Sequence, residues 1–210
     1  MRGNDTDRGG WIGRLLTGTH HGLPAGGVAL VMLGCLTVYG ALAGCFDPGP
    51  QIAVAAVKMP LIVATAVLLC LPSFVVFAIV AGDPAPPTDL VRRLVAAIAV
   101  AALIMVALGP VVWLFSVTAR SLAFVVLLHV LIATVALGFG VRPMRAASGS
   151  RGARRVALLW TLVFLVVSLQ LTAFLGPVLG PTEDGRLFEL RRESFLGRYH
   201  RVVTEPSQPR

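Results

Sequence analysis

The side chains that could do chemistry in this sequence are a few polar groups set inside long apolar runs. Lys58 and Pro60 open one run, with Thr65, Pro72 and Ser73 further along it; His129 sits near the middle of another, and Ser168 and Gln170 lie inside a third. A helix interrupted by proline can line a substrate path, and a buried imidazole is a group from which a proton relay can be built. A proton-coupled carrier normally keeps a carboxylate or a chain of titratable groups in the membrane, and here His129 alone qualifies. Ser73 has no base at helical distance, and no Gly-x-Ser-x-Gly or phosphate-cradling loop occurs. The His20-His21 pair lacks a third member at any ligand spacing. The expectation is therefore no enzyme activity, no metal and no cofactor.

The elements that position these groups are apolar runs at 23–46, 59–82, 94–117, 122–141 and 156–179. Each meets the need for about 20 apolar residues, at ~1.5 Å of rise, to cross ~30 Å of hydrocarbon. Between positions 90 and 182 there is no Asp or Glu, although that stretch holds eight arginines. A membrane explains the pattern. With 210 residues, 56% of them hydrophobic, the chain reads as an all-α, polytopic transmembrane helical bundle of about five spans. Residues 1–22 form a polar N-terminal segment, 23–181 the bundle, and 182–210 a polar tail in which Phe188, Phe195, Tyr199 and Val202 recur at roughly helical spacing. That tail reads either as an amphipathic helix on the membrane surface or as a solvated segment.

A net charge of +8 would suggest nucleic acid in a soluble protein. Here the arginines flank the apolar runs, so topology and anionic headgroups account for them, and nucleic acid is not an expected partner. The N-terminus and the 83–93 and 142–155 loops hold three, two and five arginines; the opposite side holds Lys58, Arg120 and six arginines of the tail. In the short loops the basic count is seven against two, which predicts a cytoplasmic N-terminus.

Cys35, Cys45 and Cys70 all lie in or at the edge of apolar runs. Cys35 and Cys45 would be ~15 Å apart along one helix, beyond disulfide reach. Leu42-Ala43-Gly44-Cys45 resembles a lipobox, but the segment before it is long and carries Asp5 and Asp7. Gly40, Ala41, Ala43 and Gly44 instead read as a small-residue packing face.

Pro60 suits a first helical turn, whereas Pro72 should disturb its helix in mid-span. Leu108-Gly109-Pro110 and Leu175-Gly176-Pro177 repeat an interruption toward the predicted outer ends of two spans. His129 and Gln170 both lie well inside their runs, and a direct bond between them would relieve two costly burials.

In order along the chain, Tyr39-Gly40, Gly44, Gln51, Lys58-Met59-Pro60-Leu61, Leu71-Pro72-Ser73-Phe74, Leu108-Gly109-Pro110 and Leu127-Leu128-His129 carry a likeness, continued at 170–181 and 188–195. On these motifs the chain resembles a group of uncharacterised bacterial multi-pass membrane proteins with Lys-x-Pro-Leu and Leu-Pro-Ser motifs, loosely similar to Yip1-type proteins. The resemblance implies the architecture and brings no activity with it. Two departures stand out: Phe174-Leu175-Gly176-Pro177 replaces a Trp-x-Arg-Pro pattern, and His129 stands where Asn is usual.

The sequence thus predicts a bacterial inner-membrane protein acting as a non-enzymatic subunit or scaffold, with the lipid bilayer and other membrane subunits, or itself, as partners. The alternative is a small oligomeric transporter or channel with a path near Lys58 to Ser73. Lys58, Pro60, Pro72, Ser73, Gly109, Pro110, His129, Gln170, Gly176 and Pro177 are the candidate functional or structural residues.

Overall fold

The computed structural model describes residues 25–45, 49–119 and 121–174, and among them every regular element is a helix. In chain order these are α1 (Ala25–Gly44), α2 (Pro50–Val80), α3 (Pro87–Ala107), α4 (Gly109–Thr118), α5 (Leu122–Ala147) and α6 (Arg151–Phe174). All but α4 are long and apolar enough to cross a membrane, which makes this a multi-pass membrane protein with five membrane-spanning helices among the described residues. Helices suit that setting because they satisfy their own backbone groups where no water can.

Several predicted boundaries move; α3 already starts at Pro87, not at 94, and α5 runs past 141 to Ala147. The second span begins at Pro50, not at 59, so Pro50 takes the first-turn position and Pro60 lies inside the helix together with Pro72. The reason is that Gln51 and Lys58, polar by type, are buried against neighbours and do not face water. The third run is split in two. Leu108, at φ −85° and ψ 0°, separates α3 from α4, and its N–H still reaches the Ile104 carbonyl at 3.0 Å. Pro110 then supplies no N–H to continue the α3 ladder. The last helix starts at Arg151, five residues before its apolar run, because Ser150 caps it: Ser150 Oγ accepts from the Ala153 N–H at 2.9 Å.

The core is organised around α3, whose residues Ala96 to Ala102 are all buried. A helix apolar and covered on every side belongs at the centre of a bundle. Packed on it are α1 and α5, while α2 lies against α1 and α6, and α6 also touches α5. Small residues set the close approaches. A side chain at Gly40 would meet the Ala55 carbonyl at 2.5 Å, one at Gly44 would meet Ile52 Cα at 2.8 Å, and one at Gly140 would strike the Ala97 carbonyl. The small-residue face expected on α1 is therefore present, pressed on α2. Leu30, Leu68, Leu69, Phe77, Val80, Leu127, Leu131, Leu159 and Leu162 point outward, an apolar surface suited to acyl chains.

Two short connections close one end. At the end of α2, Gly82 adopts φ 78°, and the N–H groups of Gly82 and Asp83 turn back to the carbonyls of Ile79 and Ala78 at 3.0 Å each. That is a glycine-terminated helix stop. Ser150 Oγ donates to the Ala81 carbonyl at 2.9 Å, and Arg93 Nη1 to the Ala147 carbonyl at 2.9 Å, so the α2–α3 and α5–α6 connections are joined.

Candidate functional site

Lys58 is 1% exposed and shares one face of α2 with Gln51, Ala55 and Ile62, all buried. Gln51, Lys58 and Gln170 are each engaged in a polar contact. The antiparallel pairing of α2 with α6 runs from Trp160 beside Cys70 to Leu171 beside Ala55 and Ile62. Lys58 therefore lies at the end of α2 remote from the Asp83 connection.

The Leu-Pro-Ser motif divides its residues between two surfaces. Cys70 and Phe74 face inward and are buried, whereas Pro72 and Ser73 are exposed. The Ser73 hydroxyl is turned back to the Cys70 carbonyl at 2.8 Å. That same carbonyl accepts the Trp160 indole N–H at 3.0 Å. Trp160 stacks on Phe164 at 5.1 Å and meets Phe74 edge-on at 5.2 Å. The motif is thus a docking point for α6. Trp160 was missed in the sequence, although an indole N–H inside an apolar run is a signal, since it must find an acceptor.

Gly109 is buried where a side chain would meet Leu42 Cδ1 at 2.6 Å, so it admits α4 against α1; Pro110 beside it is exposed. Gly176 and Pro177, and with them the second predicted interruption and the tail, lie outside the described residues.

His129 does not pair with Gln170. Its Nδ1 lies 2.7 Å from the Val125 carbonyl, its Nε2 is buried with no hydrogen-bond partner, and its ring meets Tyr39 edge-on at 5.7 Å. Gln170 is exposed on α6. The His129 ring is turned to Tyr39 of α1, while Gln170 lies on α6, so the expected pairing is not made. The Tyr39 hydroxyl is likewise buried without a partner, as is Ser116 Oγ on α4.

Ser168 Oγ on α6 is also buried without a partner, whereas most of the intramembrane threonines satisfy themselves. Thr37, Thr118, Thr134, Thr161 and Thr172 each donate to the carbonyl four residues earlier, at 2.7 to 2.9 Å. No group of three or more His, Cys, Asp or Glu residues is arranged to hold a metal among the described residues.

Among the described residues, the strongest charge lies at the end where the two connections meet. Arg92 and Arg93 face Asp89 and Asp83 at 4.0 and 3.7 Å. No ion pair engages Arg142, Arg145, Arg151, Arg154 or Arg155 among the described residues, and Arg145 Nε is buried without a partner. The Arg142 guanidinium lies 4.1 Å over the Phe139 ring.

Set beside known proteins, the chain matches no family model, no curated protein and no solved structure.

Proposed function

We propose that this chain is a non-enzymatic subunit or scaffold of a bacterial inner-membrane complex, inserted with its N-terminus in the cytoplasm. The observation that carries the reading is the packing of the bundle centre. Ala96 to Ala102 are buried on all sides, and five threonines and Ser73 turn their hydroxyls onto their own helices. Helices packed this closely, with these six hydroxyls spent on backbone, suit a rigid support. A conduit beside Lys58 to Ser73 draws less support, because Ser73 faces the lipid side and is satisfied within α2. The orientation follows from the arginines gathered on the 83–93 and 142–155 connections, on the rule that basic loops stay cytoplasmic. The likeness to bacterial multi-pass proteins bearing the same motifs supports the choice of membrane.

Gentle detergent extraction of the tagged protein from its native membrane, with particle mass and identification of what co-purifies, tests the role. A stoichiometric membrane partner is expected; a lone homo-oligomer would sink the subunit reading in favour of transport. For orientation, a cysteine introduced at exposed Gly149 should react with impermeant thiol reagents in inverted vesicles and be protected in intact cells.

A further inference from the structure

We infer that the basic end of the bundle is a binding site for an anionic phospholipid, its phosphate held by Arg142 and Arg145 of α5 and Arg151, Arg154 and Arg155 of α6. A topology signal needs only charge, and solvated, mobile arginines would serve. This end is built more firmly. Arg93 clamps the two connections by its bonds to the Ala147 carbonyl at 2.9 Å and its approach to Asp83 at 3.7 Å. Ser150 ties the start of α6 to Ala81 at 2.9 Å, and Gly149 lies against Pro84.

Charge selects the ligand. The two carboxylates at this end, Asp83 and Asp89, are already spent on Arg93 and Arg92, which leaves five arginines uncompensated among the described residues. Arg145 Nε is buried without an acceptor, so no protein carboxylate or carbonyl is spent on that nitrogen. Depth favours a lipid over a soluble anion. Arg142 lies over the outward-facing Phe139, and Arg154 and Arg155 stand one turn from the exposed Leu158 and Leu159. The guanidiniums therefore sit where apolar surface gives way to polar, the level of headgroup phosphates, with acyl-chain surface directly beneath them. This inference needs the membrane-spanning architecture and is independent of the subunit reading.

The test is native mass spectrometry of the full-length protein in detergent with added phosphatidylglycerol or phosphatidylcholine. Phosphatidylglycerol should be retained at least about tenfold more, since each basic residue near an anionic surface contributes up to roughly fivefold before screening. Arg145→Gln and Arg154→Gln should each reduce retention several-fold, while Arg92→Gln, which removes an exposed arginine already facing Asp89, should change it less than twofold. Raising salt on the unmodified protein should release the lipid, a readout that no folding defect can mimic. Equal retention of the two lipids, an Arg92→Gln loss as large as the others, or displacement by millimolar inorganic phosphate would overturn the assignment.

Discussion

The Trp160 indole donates to the Cys70 carbonyl across the α2–α6 interface at 3.0 Å, two residues before Pro72. Proline removes an N–H from the ladder of α2 and loosens the turn before it. The indole supports that turn from outside, and the Ser73 hydroxyl, 2.8 Å from the same carbonyl, supports it from within. Trp160→Phe should keep the stack on Phe164 and lose the bond, lowering stability by about 1 kcal/mol. Trp160→Ala also opens a cavity and should cost about 3–5 kcal/mol. Thermal unfolding in mild detergent reads both; equal effects of the two substitutions would mean that the hydrogen bond contributes nothing separate from packing.

Much of this architecture was legible because apolar runs of span length have few alternatives. The five membrane-spanning helices fall on the five runs, and the interruption at Leu108-Gly109-Pro110 is a real break. Where the sequence misled, a polar side chain was read as a boundary. Lys58 read as the opening of the run and is instead buried well inside the helix, and Gln51 before it is buried too, since burial depends on how other helices pack. Long-range pairing was the harder part. Hydropathy gives each helix a length but not a rotation about its axis, so His129 was matched to Gln170 when its ring faces Tyr39. The Trp160 contact, 90 residues away in sequence, could not be found from local pattern alone.

Gly40 sets the distance between α1 and α2. A Cβ there would lie 2.5 Å from the Ala55 carbonyl and 2.8 Å from Met59 Cβ, and backbone cannot step aside as a flexible side chain could. Gly40→Ala should therefore destabilise by about 1–3 kcal/mol. Gly34, on the same helix, has nothing within 4 Å, so Gly34→Ala should be neutral or slightly stabilising. Unfolding midpoints of the two variants, measured side by side, check this, and a matched loss at both positions would contradict the close approach.

Tyr39 and His129 form a buried polar pair left half satisfied. The Val125 carbonyl can only accept, so Nδ1 carries the imidazole proton and Nε2 is a bare acceptor; the Tyr39 hydroxyl is a donor without an acceptor. Removing an unsatisfied hydroxyl costs little, and Tyr39→Phe should be neutral or stabilise by up to about 1 kcal/mol. His129→Leu and Gln170→Leu should combine additively within about 0.5 kcal/mol, as for residues sharing no contact. A clear loss from Tyr39→Phe would reveal a water bridging the pair, and strong coupling between positions 129 and 170 would restore the pairing that the fold argues against.

Asp83 anchors the α2–α3 connection by two different means, and substitutions can separate them. Its Oδ1 accepts the Ala85 N–H at 3.1 Å, and the same oxygen faces Arg93 Nη1 at 3.7 Å. Asp83→Asn keeps an acceptor for Ala85 while losing the charge; Asp83→Ala loses both. Arg93 would not be stranded in either case, because it still donates to the Ala147 carbonyl at 2.9 Å and its side chain is 22% exposed. The alanine variant should cost about 1–3 kcal/mol, in the range for an unsatisfied buried donor, and the asparagine variant no more than about 1 kcal/mol. Added salt should narrow the gap between the unmodified protein and Asp83→Asn, since that gap is electrostatic, and should leave the gap between the asparagine and alanine variants in place.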